Sequence, residues 1–326
     1  MEYFETVESA VHPVLLWGIE VIKTVQFIAN PILTKITSIL SFLGGEGIVL
    51  FALFFIWCIE YRKGLIIFLS LAISNGINSY LKNLFKVPRP FVVDPSVKLE
   101  FEKNFSTPSG HSQSSVVFWA LLFFYHDESS EKTETKESPT HKKLKAVFMF
   151  LIPLYIGFTR VYLGVHYPTD VLFGWVIGAL LSVIALFLLP KILTAVTAFF
   201  ASAKKISNRR LRGLELAVFA LIAVLFVAFD SDPSMGGAVL GLAIGKIFLF
   251  DSYAAEFSAA SGSVFQKILR YLVGLVLCVG GLLVLKQCFS FAPEEYTRLL
   301  RFLRYAIAAA LVSGAAPILF LKLRLA

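Results

Sequence analysis

Long apolar runs recur along almost the whole chain, and they restrict its fold more than any other feature. A bilayer core of roughly 30 Å requires about 20 predominantly apolar residues per helix. Every backbone polar group inside that core must be satisfied within the segment itself. Nine stretches approach or reach this length between charged or turn-forming breaks, near 47–61, 65–86, 109–126, 144–162, 169–194, 211–229, 233–251, 267–287 and 303–323. With 57% hydrophobic and 16% charged residues and a mean hydropathy of +0.76 over 326 residues, lipid is the solvent for most of the molecule. The expected fold class is all-α, a polytopic transmembrane helical bundle of about nine spans.

The chain divides into three expected sections. Residues 1–44 read as an N-terminal amphipathic interfacial segment, 45–195 as a five-span core, and 196–326 as a four-span C-terminal extension. Residues 5–43 carry Glu20 and Lys23 either side of one helical turn, with Pro13 and Pro31 as breaks, which suits an interfacial segment better than a span. A tenth crossing is the alternative. The acidic start "MEYFETVES" argues against a cleaved signal peptide.

The net charge of +8 does not point to nucleic acid, because the basic residues cluster at helix ends and in loops. Arg62 and Lys63, then Lys142, Lys143 and Lys145, then Lys204, Lys205, Arg209, Arg210 and Arg212 fall on one side of a nine-span topology. The positive-inside rule makes that side cytoplasmic, with Lys322 and Arg324 at the C-terminus. The polar insert from His126 to Lys145 reads as a flexible cytoplasmic loop, with His126 and His141 solvated. Gly237, Gly241 and Gly245, at four-residue spacing, read as a close helix contact. Cys58, Cys278 and Cys288 have no metal-ligand spacing and read as packing residues.

The unusual chemistry lies in two loops on the opposite face. In "KNLFKVPRP", Lys82 and Arg89 are seven residues apart, about two helical turns if the helix holds that far. Pro88 and Pro90 disfavour helix for their predecessors, so the helix is expected to end there and turn Arg89 inward. In "TPSGH", Pro108 and Gly110 set a turn before a helix whose N-terminal amides and dipole favour an anion. Ser109 adds a hydroxyl donor and His111 a titratable proton. In "TRVYLGVHYPTD", His166 and Asp170 are spaced to meet on a helix, so the carboxylate fixes the imidazole tautomer, while Arg160 brings a second guanidinium.

Each group alone has an ordinary structural reading: snorkelling cations, a capped helix start, a His–Asp bond. Together they place two guanidinium groups, an ammonium, a hydroxyl and backbone amides on one extracytoplasmic face, suited to the oxygens of a phosphoryl group. Asp94 and Glu100 lack partners at ligand spacing, so neither a metal nor another cofactor is expected. The coherent chemistry is phosphoryl transfer in which His166 attacks phosphorus in line. Lys82, Arg89, Ser109 and Arg160 stabilise the charge, and His111 protonates the leaving group.

Lys82-x6-Arg89-Pro90, Pro108-Ser109-Gly110-His111 and Arg160-x5-His166-x3-Asp170 resemble, in the same order, the three signature motifs of the type 2 phosphatidic acid phosphatase superfamily. The resemblance covers roughly residues 45–190. It implies a helical bundle, metal-independent dephosphorylation, a phosphohistidine at His166 and vanadate sensitivity. Where the family usually has serine before the arginine, this chain has Thr159, whose hydroxyl is then expected to reach phosphate. A nine-span count resembles the glucose-6-phosphatase and sphingosine-1-phosphate phosphatase branches. Asp230, Asp232 and "PEEYTRLLRFLRY" stay unassigned.

The expected substrate is a phosphorylated lipid, as monoester or pyrophosphate, entering from the surrounding membrane lipids past Phe85, Phe91, Phe101 and Phe105. Phosphatidic acid, phosphatidylglycerol phosphate, a polyprenyl pyrophosphate and a sphingoid phosphate are unranked. The alternatives are a soluble sugar phosphate as substrate, a phosphotransferase with a non-water acceptor, and a non-enzymatic anion- or lipid-binding membrane protein. A bacterial inner membrane is the expected location, with the active site on the extracytoplasmic face. Oligomeric state is left open.

Overall fold

The structure, a computed structural model, describes residues 12–125, 138–188, 208–229 and 232–326, and the regular elements among them are all helical. The principal helices are α1 (Pro13–Val25), α2 (Pro31–Phe42), α3 (Glu46–Cys58), α4 (Tyr61–Phe85), α5 (Gly110–Phe124), α6 (Pro139–Tyr162), α7 (Pro168–Val183), α8 (Asn208–Ala228), α9 (Pro233–Ile244), α10 (Val264–Phe289), α11 (Thr297–Ala310) and α12 (Ala316–Lys322). Single π-helical segments extend α7 and α9 and join α11 to α12.

Among the described residues, six segments are long and apolar enough to cross a bilayer: Tyr61–Val93, Lys143–Tyr162, Pro168–Leu188, Pro233–Tyr253, Val264–Phe289 and Glu294–Lys322. The three other stretches expected to span correspond to α3, α5 and α8, which are not among them. α3 has 13 residues and α5 has 15. The reason at α5 is visible in its burial: Ser112, Gln113, Ser114 and Ser115 are packed inside the protein with Val117, Phe118, Ala120 and Leu121. The polar side chains of this short helix are thus set inside the protein. Of the loop expected from His126 to Lys145, residues 126–137 lie outside the described residues, as does Asp230, while 139–145 are helical and form the start of α6, so the loop expectation fails for that part.

The described residues form two compact units, one from 1–48, 81–124 and 132–183, the other from 49–80 and 184–326 together with the neighbourhood of Tyr125. In the first unit, α1 and α2 bend by 117° and together are apolar enough for one broken span. Asn30 makes the break: its side chain accepts from Leu33 N at 2.9 Å, and Pro31 opens α2 without needing a donor. Ile19 and Ile22 are buried against Tyr162, Leu163, Val165 and Tyr167. Gln26 Nε2 donates to the carbonyls of Val97 (2.9 Å) and Tyr162 (2.8 Å). The N-terminal segment, expected at an interface, is therefore also a wall of this unit.

The second unit buries Trp57, Tyr61, Phe257 and Phe320 in one cluster, with Tyr61 stacked on Phe250 at 3.8 Å between centroids. A Cβ at Gly237 or Gly241 would lie 2.2 Å from the Phe302 carbonyl or 2.0 Å from that of Ala306, so α9 and α11 touch backbone to backbone as the glycine spacing predicts. Asp232 caps α9 through Ser234 N at 2.9 Å and pairs with Arg301 at 2.6 Å, which assigns both the acid and one arginine of "PEEYTRLLRFLRY" to structure. Cys58 and Cys278 are buried, Cys288 is exposed, and all three are free thiols.

Candidate active site

The site lies wholly in the first unit. Lys82, near the end of α4, is 8% exposed, and its Nζ donates to the carbonyls of Phe105 (2.6 Å) and Ser106 (3.3 Å). It clamps the loop that precedes α5. α4 stops at Phe85, Lys86 takes a left-handed φ of 51°, and Arg89 is extended, as the prolines on either side of it dictate. Arg89 thus leaves the helix face of Lys82 and enters the interior from extended backbone. Its Nε donates to the Asn104 carbonyl (2.7 Å), Nη1 to the Val165 carbonyl (2.8 Å), and Nη2 to Glu102 Oε2 (2.6 Å).

Arg160 comes from the last turn of α6 and is 1% exposed. Its Nη1 donates to Ser41 Oγ at 2.5 Å and its Nη2 to Glu102 Oε1, while Nε is buried with no partner among the described residues. Beyond α6 the chain turns at Gly164, whose φ of 69° brings it against the backbone of Val97. A Cβ there would sit 1.8 Å from that carbonyl oxygen, so only glycine lets the next residues return to the site.

Those residues deliver His166. Its Nδ1 lies 3.3 Å from Asp170 Oδ2 and its Nε2 lies 2.9 Å from Arg89 Nη1. A carboxylate acceptor on one side and a guanidinium donor on the other assign the ring proton to Nδ1 and the lone pair to Nε2. Asp170, in the first turn of α7, also accepts from Ser106 Oγ (2.5 Å), Thr107 Oγ1 and Tyr167 N (2.9 Å). These bonds fix the carboxylate before it fixes the histidine. Burial, reinforced by the positive charges of Arg89, Lys82 and Arg160, holds the His166 conjugate acid well below the ordinary value of 6.5, so the imidazole is neutral in neutral solution.

Ser109 caps α5. Its Oγ accepts from Ser112 Oγ at 2.9 Å and from Ser112 N at 3.4 Å, and its own N–H donates to the Asp170 carbonyl at 3.0 Å. With both lone pairs engaged, its hydroxyl proton is the part left to donate. Gly110 and His111 contribute the first amides of the helix. Gly45 packs directly on His111, where a Cβ would lie 2.4 Å from Nε2. His111 is close enough to feel the charges of Arg160, Glu102 and Lys82. Thr159 is fully buried, and its hydroxyl donates to the Ile156 carbonyl of its own helix at 2.7 Å.

Contacts among described residues therefore join Arg89, Arg160, His166, Asp170 and Ser109 into one network, with Lys82 holding the loop that completes it. At the centre is a residue that sequence reasoning passed over. The Glu102 carboxylate bridges Arg89 and Arg160, one oxygen to each. Burial alone would raise its pKa, but the two guanidinium groups outweigh that and hold it below the ordinary carboxylate range. Ser41, Ser106 and Thr107 were missed as well. The alternation of charge and aromatic in "KLEFEKNF" was the one available signal for Glu102, and it also fits a solvated loop. Phe91 is buried near Phe101, with ring centroids 5.8 Å apart, while Phe85, Phe101 and Phe105 are exposed.

Chemically, two guanidinium groups hold one anion position, and one of them also donates to Nε2 of a neutral imidazole. A profile of the PAP2 superfamily matches residues 63–193, and one of the PAP2 superfamily phosphatase transmembrane extension matches 233–326. Phosphatidylglycerophosphatase B of Bacillus subtilis is 30% identical over 167 residues, covering 49% of this chain and 76% of that protein. A probable sphingosine-1-phosphate phosphatase of Dictyostelium discoideum is 26% identical over 247 residues, covering 70% of this chain and 56% of its own length. Among solved structures, a transmembrane PAP2-type phosphatidylglycerolphosphate phosphatase from Bacillus subtilis superposes with a TM-score of 0.46 at 26% identity, over 58% of this chain and 94% of that one. The three motifs, the two profiles and the Bacillus subtilis relative at 30% identity agree: the chain belongs to the PAP2 superfamily and is a membrane phosphatase of that family.

Proposed function

We propose that the protein is a metal-independent phosphatase that hydrolyses a lipid phosphate monoester or pyrophosphate through a phosphohistidine at His166. The observation that carries this reading is the anion position between Arg89 and Arg160, with the His166 Nε2 lone pair 2.9 Å from Arg89 Nη1. A phosphoryl group held by both guanidinium groups would present phosphorus to that lone pair. Nε2 forms the new N–P bond as the P–O bond to the alcohol or phosphate leaving group breaks. Asp170 stabilises the cationic ring through Nδ1–H. His111 gives its proton to the leaving oxygen, and the negative charge that the substrate brings favours that protonated state. In the second half, His111 takes a proton from water as water attacks phosphorus, releasing inorganic phosphate and restoring His166.

Lys82, Arg89, Arg160, Ser109 and the amides at Gly110 offset charge on the equatorial oxygens, the part that a divalent cation plays in other phosphatases. Thr159, engaged with its own helix, would assist only after its hydroxyl turns. A nine-span topology with this cup on the extracytoplasmic side of a bacterial inner membrane is part of the same proposal, supported by the positions of the basic clusters. The substrates in the relatives' names are lipid phosphates, which favours a lipid here. The test is a panel of lipid and soluble phosphate esters offered to purified protein, with and without a chelator and vanadate. The reading requires free phosphate from lipid esters, unaffected by chelator and blocked by vanadate. Release only from soluble esters, or loss of activity with chelator, contradicts it.

A further inference from the structure

The Glu102 carboxylate occupies the place where the proposed mechanism needs phosphate. It is the most accessible member of the network, 25% exposed against 3% for Arg89 and 1% for Arg160, so an incoming anion meets it first. The backbone around it is tied down. Leu99 N and Glu100 N donate to the Leu163 carbonyl at 3.3 and 3.2 Å, Arg89 holds the Asn104 carbonyl, and Ser106 N donates to the Val87 carbonyl at 2.9 Å. Glu102 can thus leave the anion position by rotating its own side chain, without the loop opening.

We infer that Glu102 is a built-in competitor: the substrate phosphoryl group binds by displacing its carboxylate, so the site admits dianionic phosphate monoesters and excludes monoanionic phosphodiesters. This rests on the proposed phosphatase reading and adds a selection rule to it. A diester carries one charge, as the carboxylate does, and must compete with a group tethered beside the guanidinium pair. A terminal phosphate has a second ionisation near pH 6 and brings almost two charges with three oxygens. Only it gains enough from Arg89, Arg160 and the start of α5 to drive the exchange. The rule matters in a bilayer, where phosphodiester headgroups of ordinary phospholipids vastly outnumber any monoester.

The test compares wild type with Glu102→Gln and Glu102→Asp, all full-length and purified. It measures equilibrium binding of inorganic phosphate, and inhibition of a short-chain lipid phosphate monoesterase assay by diethyl phosphate. If the carboxylate fills the site most of the time, apparent affinity is reduced by the vacant fraction. Glu102→Gln should therefore bind phosphate about tenfold more tightly and become sensitive to diethyl phosphate at concentrations that leave wild type unaffected. Glu102→Asp, too short to bridge both guanidinium groups, should shift the same way by less, and it carries the test if the glutamine variant does not fold. Unchanged or weaker phosphate binding with unchanged diester resistance in a folded variant overturns the inference and makes Glu102 a positioning residue for the arginines. Phosphate binding without turnover of any ester by wild type overturns the phosphatase reading alone. Absence of phosphate binding in every form overturns both.

Discussion

Each unit buries an arginine almost completely, and the two are used in opposite ways. In the second unit, Arg270 is fully buried and gives Nη1 to the carbonyls of Trp57 (2.7 Å) and Ala259 (2.9 Å), and Nη2 to those of Ser261 (2.9 Å) and Leu325 (2.7 Å). In the first unit, Arg160 meets a hydroxyl and a carboxylate, both on side chains. Among the described residues Nε lacks a partner in both, so that feature does not separate them. What separates them is whether the acceptor can leave. A backbone carbonyl is held by its own chain and cannot rotate away as a side chain can, so Arg270 ties the end of α3 to the turn before α10 and to the C-terminal residues. A glutamate side chain can rotate away and be replaced by another anion. A buried guanidinium is a binding group where its acceptors are exchangeable, and a structural one where they are not.

The largest expected effect sharpens this contrast at the group that orients the nucleophile. Asp170→Asn should lower kcat/KM by about 10⁴ while leaving phosphate binding in place, read by single-turnover assay and equilibrium binding on the same sample. Next comes the arginine comparison itself. Arg160→Lys replaces a two-pronged donor with a point charge and should cost about 10²–10³ in kcat/KM with little change in melting temperature. Arg270→Met should do the reverse, because each buried carbonyl left without a donor costs about 1–3 kcal/mol. It should melt several degrees lower while the folded fraction retains its turnover. If Arg270→Met loses turnover and Arg160→Lys loses only stability, the comparison is broken.

Acid should also act on the first unit. The His166 conjugate acid is depressed in the folded state, so between its folded value and the unfolded value of 6.5 the unfolded chain binds the extra proton. The stability contributed by neutral His166 is complete above that unfolded value and is lost as pH falls below it. Glu102, also depressed, adds a loss only at lower pH, below the ordinary carboxylate range. The melting temperature of wild type should therefore fall on acidification from neutrality, and fall less in His166→Asn. The smallest expected effect is at Ser41→Ala, which removes one neutral acceptor from Arg160. A loss of about 1 kcal/mol, a few-fold in KM, is expected by steady-state assay.

The sequence was most informative where chemistry is local. The prolines around Arg89 foretell the end of α4, and the spacing of His166 and Asp170 foretells their bond, although it forms from a turn just ahead of α7 and not from within that helix. It was least informative where the partner comes from a distant segment. Nothing in "EKNFSTP" marks Ser106 and Thr107 as the residues that hold Asp170, and nothing around Ser41 marks it as an acceptor for Arg160. Glu102 escaped because the expected cup was read as a surplus of positive charge, whereas a folded interior must balance its charges before any ligand arrives. The span count is legible only in part for a related reason. Hydropathy reports that a segment avoids water, and it does not separate lipid from a protein interior such as the one that holds Ser112 to Ser115 of α5.

The central claim is that His166 Nε2 attacks phosphorus. It is tested most directly by mixing the protein with a substrate labelled in its terminal phosphate, quenching in alkali, where phosphohistidine survives, and digesting with trypsin. Cleavage after Arg160 and Lys191 isolates a peptide whose single histidine is His166. Label on that peptide is expected in wild type, with slower appearance and slower loss of label in His111→Ala because His111 serves both halves of the reaction, and none in His166→Ala. Label on the peptide that carries His111, or turnover by His166→Ala, would contradict it.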